Sequence, residues 1–501
     1  MTSHEIAVEA PSHPPVTKRE WLVLGAITAA FVMIVTFWAV FTPLHDAPDE
    51  PIHFNSAVRL AEGGGWPDPG DAEMDRMILQ SRAEAKIPAA ERSTLAELRE
   101  NYTGYHGVDQ MTQHPPLYYA YVAVVLNAVD FMNIRSDIAL VIARLAGVLF
   151  IVPLPYFAWN SVRRITRSPK AGIIAAASLF AVPQLAHIAG SVSNDGMTIL
   201  FCSAVIWLSV RAMTGDTRWW VTVGTGLALG LGLLVKGTAV PMVAFAAVVL
   251  LIWPRELGFT TRLLRTATAM AIALIGGWWW MRNLLVYGSL QPAGLVYPDA
   301  PWPEGSGPSA IWFADQAWGR ISNSFWGNFG WLSHPLPVFL TSILTVVCIA
   351  VVLAFAFRSR ADRGKMITLA ALPVLLTLAL LTQTWPSYVR TQLPAGLQGR
   401  YFFVVLIALI VLSAVAWRNL VEPRNRVRVG IGLVIFFAAM SVLGLAVEYR
   451  AVYHGVSDWL ARSPIGAPGT IILVILTAGV CVLAMVQTVR FVRHRARSIE
   501  A

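Results

Sequence analysis

Apolar residues run along this chain in stretches of roughly 17 to 22 positions, separated by short turns rich in Arg and Lys, with no alternation of period two. Each stretch is long enough to cross about 30 Å of hydrocarbon as a helix. The pattern predicts spans near 21–42, 138–160, 171–190, 196–213, 219–235, 238–253, 266–285, 336–357, 366–382, 401–417, 429–447 and 469–489, about twelve crossings. The predicted fold class is all-α, a polytopic membrane protein with further interfacial or re-entrant helices in its longer loops.

Composition agrees and charge adds a direction. Of 501 residues, 56% are hydrophobic and only 13% charged. A formal net charge of +9 would point to nucleic acid in a soluble domain, but most Lys and Arg here stand between apolar runs, where they report orientation. Clusters such as Arg163-Arg164 to Lys170, Arg255 to Arg265 and Arg358 to Lys365 follow alternate spans, so both termini are expected in the cytoplasm. Lys18-Arg19 precedes an apolar stretch longer than a signal-peptide core and without a small-x-small cleavage site, which predicts an uncleaved first helix. Residues 117–132 are apolar too, but a crossing there would invert every later basic turn. The expected arrangement is a helix opened by His114-Pro115-Pro116 that lies along the outer interface or dips in and returns, with Tyr118 and Tyr119 at headgroup level. A thirteenth span with broken charge asymmetry is the alternative. Cys202, Cys348 and Cys481 sit inside apolar runs with no metal-ligand spacing and read as small core residues.

With this orientation the cytoplasmic turns are short and two long loops face outward, at 43–116 and 286–335. The first holds almost half of the acidic residues. The second is rich in Trp, which either reflects the ordinary enrichment of Trp at membrane interfaces or serves to stack a sugar. Just past the first span comes Asp46-Ala-Pro-Asp49-Glu50-Pro-Ile-His53. Carboxylates at a membrane surface can act as a general base or hold a divalent cation; equally, an Asp before a Pro is a common way to start a helix. Asn194-Asp195 places a second carboxylate on the same face. Arg400, followed by Tyr401, enters a span from outside, and Lys236 and Arg282 lie near the outer ends of theirs, against the insertion bias. A phosphate oxygen is a natural partner for such cations. Arg144 lies inside a span and needs a partner, with the acidic turn as one source. His53 and His114 face either a substrate or the protein interior. There is no Walker A loop, no GxGxxG, no HExxH and no GxSxG, and the cytoplasmic turns are too short to fold as a nucleotide-sugar domain. An activated substrate would have to be membrane-borne.

Asp49-Glu50-Pro51-Ile52-His53, His114-Pro-Pro-Leu-Tyr-Tyr119, Ala143-Arg144-Leu145, Asn194-Asp195 and Val235-Lys236-Gly237, in this order, resemble the GT-C superfamily of membrane glycosyltransferases, nearest to its bacterial protein-mannosyltransferase and aminoarabinose-transferase branch. The resemblance covers residues 20–290; the later part, with Arg282-Asn283 and Gln398-Gly-Arg-Tyr401, is similar to multispan bacterial proteins of the same superfamily without a soluble C-terminal domain. It implies a GT-C type fold divided into a cytoplasmic tail (1–20), a catalytic membrane module (21–290), an aromatic outer loop (291–335), a second membrane module (336–490) and a basic tail (491–501). It also implies residence in the bacterial inner membrane with the active site on the periplasmic or extracellular side. The implied activity is inverting transfer of a sugar from a polyprenyl-phosphate donor to a hydroxyl on an envelope glycan, glycolipid or protein. Asp49 corresponds to the catalytic base, with Glu50 and Asp195 beside it. Arg400, Lys236 and Arg282 are the donor-phosphate candidates, and His53, His114, Tyr118, Asn194 and Tyr401 the substrate contacts. Mg²⁺ or Mn²⁺ between Asp49 and Asp195 is an open expectation, since branches of the superfamily differ. The rival reading is a transporter or flippase of lipid-linked sugars, which would need the cations but no base.

Overall fold

The computed structural model describes residues 14–100 and 107–494; parts of both predicted tails, 1–13 and 495–501, lie outside it. Helices account for nearly all of its regular structure. The first, α1 (Lys18–Phe41), is followed by a layer of short helices, α2 (Glu50–Ala61), α3 (Arg76–Ala83), α4 (Leu95–Glu100) and α5 (Leu117–Asn127). Then come α6 (Ser136–Val148) and α7 (Leu154–Thr166), α8 (Pro169–Ala177) and α9 (Pro183–Ala189), α10 (Asp195–Met213), α11 (Trp219–Leu233), α12 (Pro241–Ile252) and α13 (Phe259–Tyr287). The rest are α14 (Ala310–Trp326), α15 (Val338–Phe355), α16 (Arg363–Thr391), α17 (Leu406–Leu420), α18 (Arg426–Val452), α19 (Val456–Arg462) and α20 (Gly466–Arg493). The strands among the described residues are a two-residue hairpin, β1 (Asn328–Phe329) with β2 (His334–Pro335).

Among the described residues nine helices are long and apolar enough to cross a membrane, with α6 and α7 counted as one, and ten if α8 and α9 form one broken span. The expected total of about twelve is reached only by adding α11 and α12, which fall short of that length. The stretch predicted as one span over 171–190 bends by 70° between α8 and α9. Pro183 is the cause: it has no N–H for the preceding turn, and it pushes Val182 out of helical geometry, to φ −119° and ψ 78°. The segment 117–132 yields α5, whose 11 residues extend only about 16 Å, half the hydrocarbon thickness. Tyr118 and Tyr119, expected to face lipid headgroups, face the protein interior instead. Both are fully buried, because α5 packs against α2 and α6.

The sequence of α1 explains its central position. Val23, Ile27, Phe31, Val35 and Trp38 follow one another at four- and three-residue steps, so they form one stripe, and all are buried. The apolar window of α10 is 78% buried, while that of α15 is 6% buried and faces outward. Inner helices therefore carry the site, and outer ones wrap them. At the end of the bundle where α1 finishes, the loops before α4 and α6 are joined to the end of α19 and the turn before α20 by hydrogen bonds from Arg92 to the Arg462 carbonyl (3.0 Å) and Arg135 to the Pro464 carbonyl (2.8 Å).

Candidate active site

Residues 42–50 form a tight turn in which two non-glycine residues adopt left-handed backbone, His45 (φ 57°) and Asp49 (φ 61°). Asp and His tolerate this region better than most side chains, but an Asp held there at a helix start indicates an imposed conformation. Arg144 imposes it. From inside α6 it donates to Glu50 through Nε (2.7 Å) and Nη2 (2.6 Å), and to the carbonyls of Ala39 (2.9 Å), Thr42 (2.6 Å) and Pro43 (2.8 Å). All five guanidinium N–H groups are used. Glu50 Oε1 also accepts the Val192 backbone N–H at 2.9 Å. Glu50 is thus fully buried and committed to clamping α1, α2, α6 and the loop before α10. It faces away from the open side of the turn.

Asp49 faces the other way. Its carboxylate takes Arg400, whose Nη1 also reaches the Pro48 carbonyl (3.4 Å) and stands 3.7 Å from Asp195 Oδ2. Lys236 Nζ donates to Asp195 Oδ1 at 2.6 Å. Tyr401 lies under both cations, its ring centre 5.7 Å from each. Four candidates separated by hundreds of residues therefore meet: Asp49, Asp195, Lys236 and Arg400. Arg400, Lys236 and Asp195 are buried; Asp49, with 28% of its side chain exposed, is the member open to an incoming group. Burial pushes the Asp49 carboxyl up, but the Arg400 guanidinium outweighs it and holds the group below the usual carboxylate range.

His53, Tyr119 and Asn194 line the adjoining wall. His53 Nδ1 and the Tyr119 hydroxyl are 2.9 Å apart, and Asn194 Nδ2 donates to the same hydroxyl at 3.3 Å. Burial, with Lys236 adding to it, lowers His53 to about 3, and the same two causes take His114 well below its ordinary value, so both rings are neutral at pH 7. Tyr118 packs edge-on against Tyr119. Around the ion pairs, several buried polar atoms have no hydrogen-bond partner in the protein: Asn194 Oδ1, Asp195 Oδ2, Arg400 Nε and His114 Nδ1. Such atoms are rare in native interiors and mark places where another group is received.

Arg282 is not brought into this set. It lies 3.6 Å from Asp68 and within reach of the Tyr287 hydroxyl (3.3 Å), and it is partly exposed. The aromatic loop is largely occupied with the protein itself: Trp302 and Trp312 pack on Tyr388, and the Trp326 and Trp331 indoles donate to Thr345 and to the His45 carbonyl. The carboxylates of Asp49 and Asp195, the pair expected to hold a divalent ion, are both engaged by fixed positive charges, Arg400 and Lys236. Sequence reading passed over Tyr119 as a site residue, although the doubled Tyr after His114-Pro-Pro was its signal. It also assigned no role to Gly399, against which the backbone of α14 closes so tightly that a Cβ would meet Ile321 and Phe325 main-chain atoms.

Several solved structures are similar over most of the chain at low identity. ArnT from Cupriavidus metallidurans bound to undecaprenyl phosphate is 16% identical, with a TM-score of 0.46 over 94% of this chain and 78% of that one. The apo oligosaccharyltransferase of Archaeoglobus fulgidus gives 13%, 0.41, 94% and 56%, and AglB from that organism, with an inhibitory peptide and a dolichol-phosphate, gives 13%, 0.39, 87% and 56%. This chain spans little more than half the length of the archaeal enzyme. No curated protein matches the sequence. Residues 31–409, from within α1 to within α17, match the family described as "Predicted membrane protein (DUF2142)". That match takes in every member of the ion-paired cluster, and the chain belongs to the DUF2142 family.

Proposed function

We propose that this protein is an inverting glycosyltransferase that moves a sugar from a polyprenyl-phosphate donor to an acceptor hydroxyl on an envelope glycan, glycolipid or protein, at the outer face of the bacterial inner membrane. The observation that carries this reading is the convergence of Asp49 and Asp195 on Arg400 and Lys236, with unpartnered buried donors and acceptors around them.

The cations serve the leaving group. A phosphate monoester or diester oxygen arriving beside Arg400 and Lys236 competes with the two carboxylates for their N–H donors, and the planar guanidinium suits a phosphate with two hydrogen bonds. As Arg400 turns to the phosphate, Asp49 loses the partner that holds its proton affinity down and becomes a stronger base. Asp49 then takes the proton of the acceptor hydroxyl. The acceptor oxygen forms a bond to the anomeric carbon from the side opposite the phosphate, and the bond from that carbon to the phosphate oxygen breaks. Its electron pair leaves on the phosphate, where Arg400 and Lys236 stabilise the charge. Neutral His53 and His114, with Tyr119 and Asn194, offer polar contacts for sugar hydroxyls.

The test is release of polyprenyl phosphate by the purified full-length protein, offered a panel of polyprenyl-phosphate sugars and an envelope extract, wild type beside Asp49→Asn. Loss of the base should cost on the order of 10²–10⁴-fold in turnover while lipid binding persists. If both proteins bind the lipid and neither releases carrier with a competent acceptor present, catalysis at Asp49 is wrong and transport of the lipid-linked sugar takes its place.

A further inference from the structure

A second set of polar side chains lies close to the acidic turn and takes no part in the chemistry above. Asp46 belongs to that turn, His334 to β2, and Glu448 to the last turns of α18. One donor atom from each lies within 4.8 Å of the other two. Glu448 is fully buried; its Oε2 is 2.8 Å from His334 Nδ1, and its Oε1 has no hydrogen-bond partner in the protein. A buried carboxylate with one oxygen unanswered, faced by a second carboxylate, is costly unless something positive joins them. Local structure holds the third member in place. The His334 ring lies over Gly330, where φ is 57° and a Cβ would come within 2.9 Å of the ring.

We propose that Asp46, His334 and Glu448 form a divalent-metal site that is separate from the catalytic cluster and pins the turn carrying Asp49 to the hairpin and to α18. One imidazole nitrogen and two carboxylates suit a transition ion, Zn²⁺ or Mn²⁺, better than Mg²⁺ or Ca²⁺, which prefer all-oxygen sets. The charges also balance: two carboxylates and a neutral imidazole around a dication leave nothing uncompensated in a buried place. Donors in a tetrahedral zinc site stand about 3.4 Å apart, so small side-chain movements from the present separations suffice. The ion has a positional role, since only Ala47 and Pro48 separate Asp46 from Asp49 and the turn between them is tight.

The experiment uses the full-length protein in nanodiscs, stripped with EDTA, dialysed against Zn²⁺ or Mn²⁺ and assayed for bound metal and for melting temperature. Wild type should retain about one equivalent and melt a few degrees higher with metal than without. Asp46→Asn and His334→Ala should bind at least about tenfold more weakly and lose the metal-dependent rise. Asp46→Asn is the milder change, because the Asp46 side chain makes no ion pair of its own; its metal-free melting temperature, compared with wild type, controls for folding. Asp49→Asn and Asp195→Asn should keep the metal, which separates this site from the catalytic cluster whether or not the protein proves to be a transferase. No retained metal in wild type, or retention in both Asp46→Asn and His334→Ala, would overturn the proposal. So would loss confined to Asp49→Asn or Asp195→Asn.

Discussion

Two neighbouring acids, Asp49 and Glu50, are chemically near-identical yet occupy opposite faces of one turn. Glu50 points into the protein, where Arg144 and the Val192 amide consume both oxygens; Asp49 points to Arg400 and partly to the open side. Nothing in the local sequence separates these fates, because they are decided by a guanidinium 94 residues away. The need of Arg144 for a partner was legible from its place inside a span, but which carboxylate it takes was not. The same limit hid the partners of Asp46, since His334 and Glu448 are unremarkable alone and reach it only by tertiary contact. Asp49, Asp195, Lys236 and Arg400 are legible in the sequence because each is an ionisable residue at the end of an apolar run, where charge is scarce, and for the two cations the expected side is the one the insertion bias depletes. Glu50→Gln leaves Arg144 charged and buried with only carbonyl partners, a loss of about 3–5 kcal/mol. The expected result is a lower melting temperature in every condition, with or without donor lipid. Asp49→Asn should lower melting less, because the Asp49 side chain is partly exposed and Arg400 keeps Asp195 at 3.7 Å, so thermal scans of the two variants side by side check the division of labour.

At the scale of elements, the site depends on how closely helices approach. The 3-10 turn Gly399–Val405 that begins the α17 span lies against α14, and the Gly399 amide donates to Ser324 at 2.7 Å. This contact fixes the direction in which the next residue, Arg400, leaves the chain. Gly399→Ala would force α14 and the turn apart without altering any charged group. The expected outcome is weaker binding of polyprenyl phosphate by roughly tenfold or more, about 1.4 kcal/mol, measured by lipid-binding titration. Gly479→Ala, at a position of α20 where nothing lies within 4 Å, should leave binding untouched. Hydropathy located each of the nine long apolar helices among the described residues, because apolar length is a property of the segment itself. It missed the 70° bend at Pro183 and the burial of α5, since a broken span and a straight one have the same hydropathy, and an interfacial helix and a packed one differ only in their neighbours.

For the whole molecule, the two ends of the bundle meet their charges in the same ways but carry them in segments of different length. At the site end, cations are paired with acids: Arg92 and Arg135 with Asp137, Arg99 with Glu62 and Asp75, Arg400 with Asp49. At the opposite end Arg163 pairs with Glu20, Arg211 and Arg218 with Asp216 and Lys365 with Asp362, while Arg262 donates to the Ile252 carbonyl, Arg363 to that of Phe357 and Arg426 to those of Val421 and Arg418. Insertion reads positive residues in short loops near span ends and largely ignores long ones, so the arginines of the 42–135 segment weigh little, while those of the short turns at the other end all pull the same way. The expected orientation places the short turns in the cytoplasm and the site outside. With Cys202, Cys348 and Cys481 replaced by Ala, a cysteine at exposed Ser306, in the loop before α14, should react with a membrane-impermeant maleimide on spheroplasts. One at exposed Ala361, in the turn before α16, should react only after the membrane is opened. The reverse pattern would put the ion-paired cluster on the cytoplasmic side, where a polyprenyl-phosphate sugar displayed on the outer leaflet could not reach Arg400.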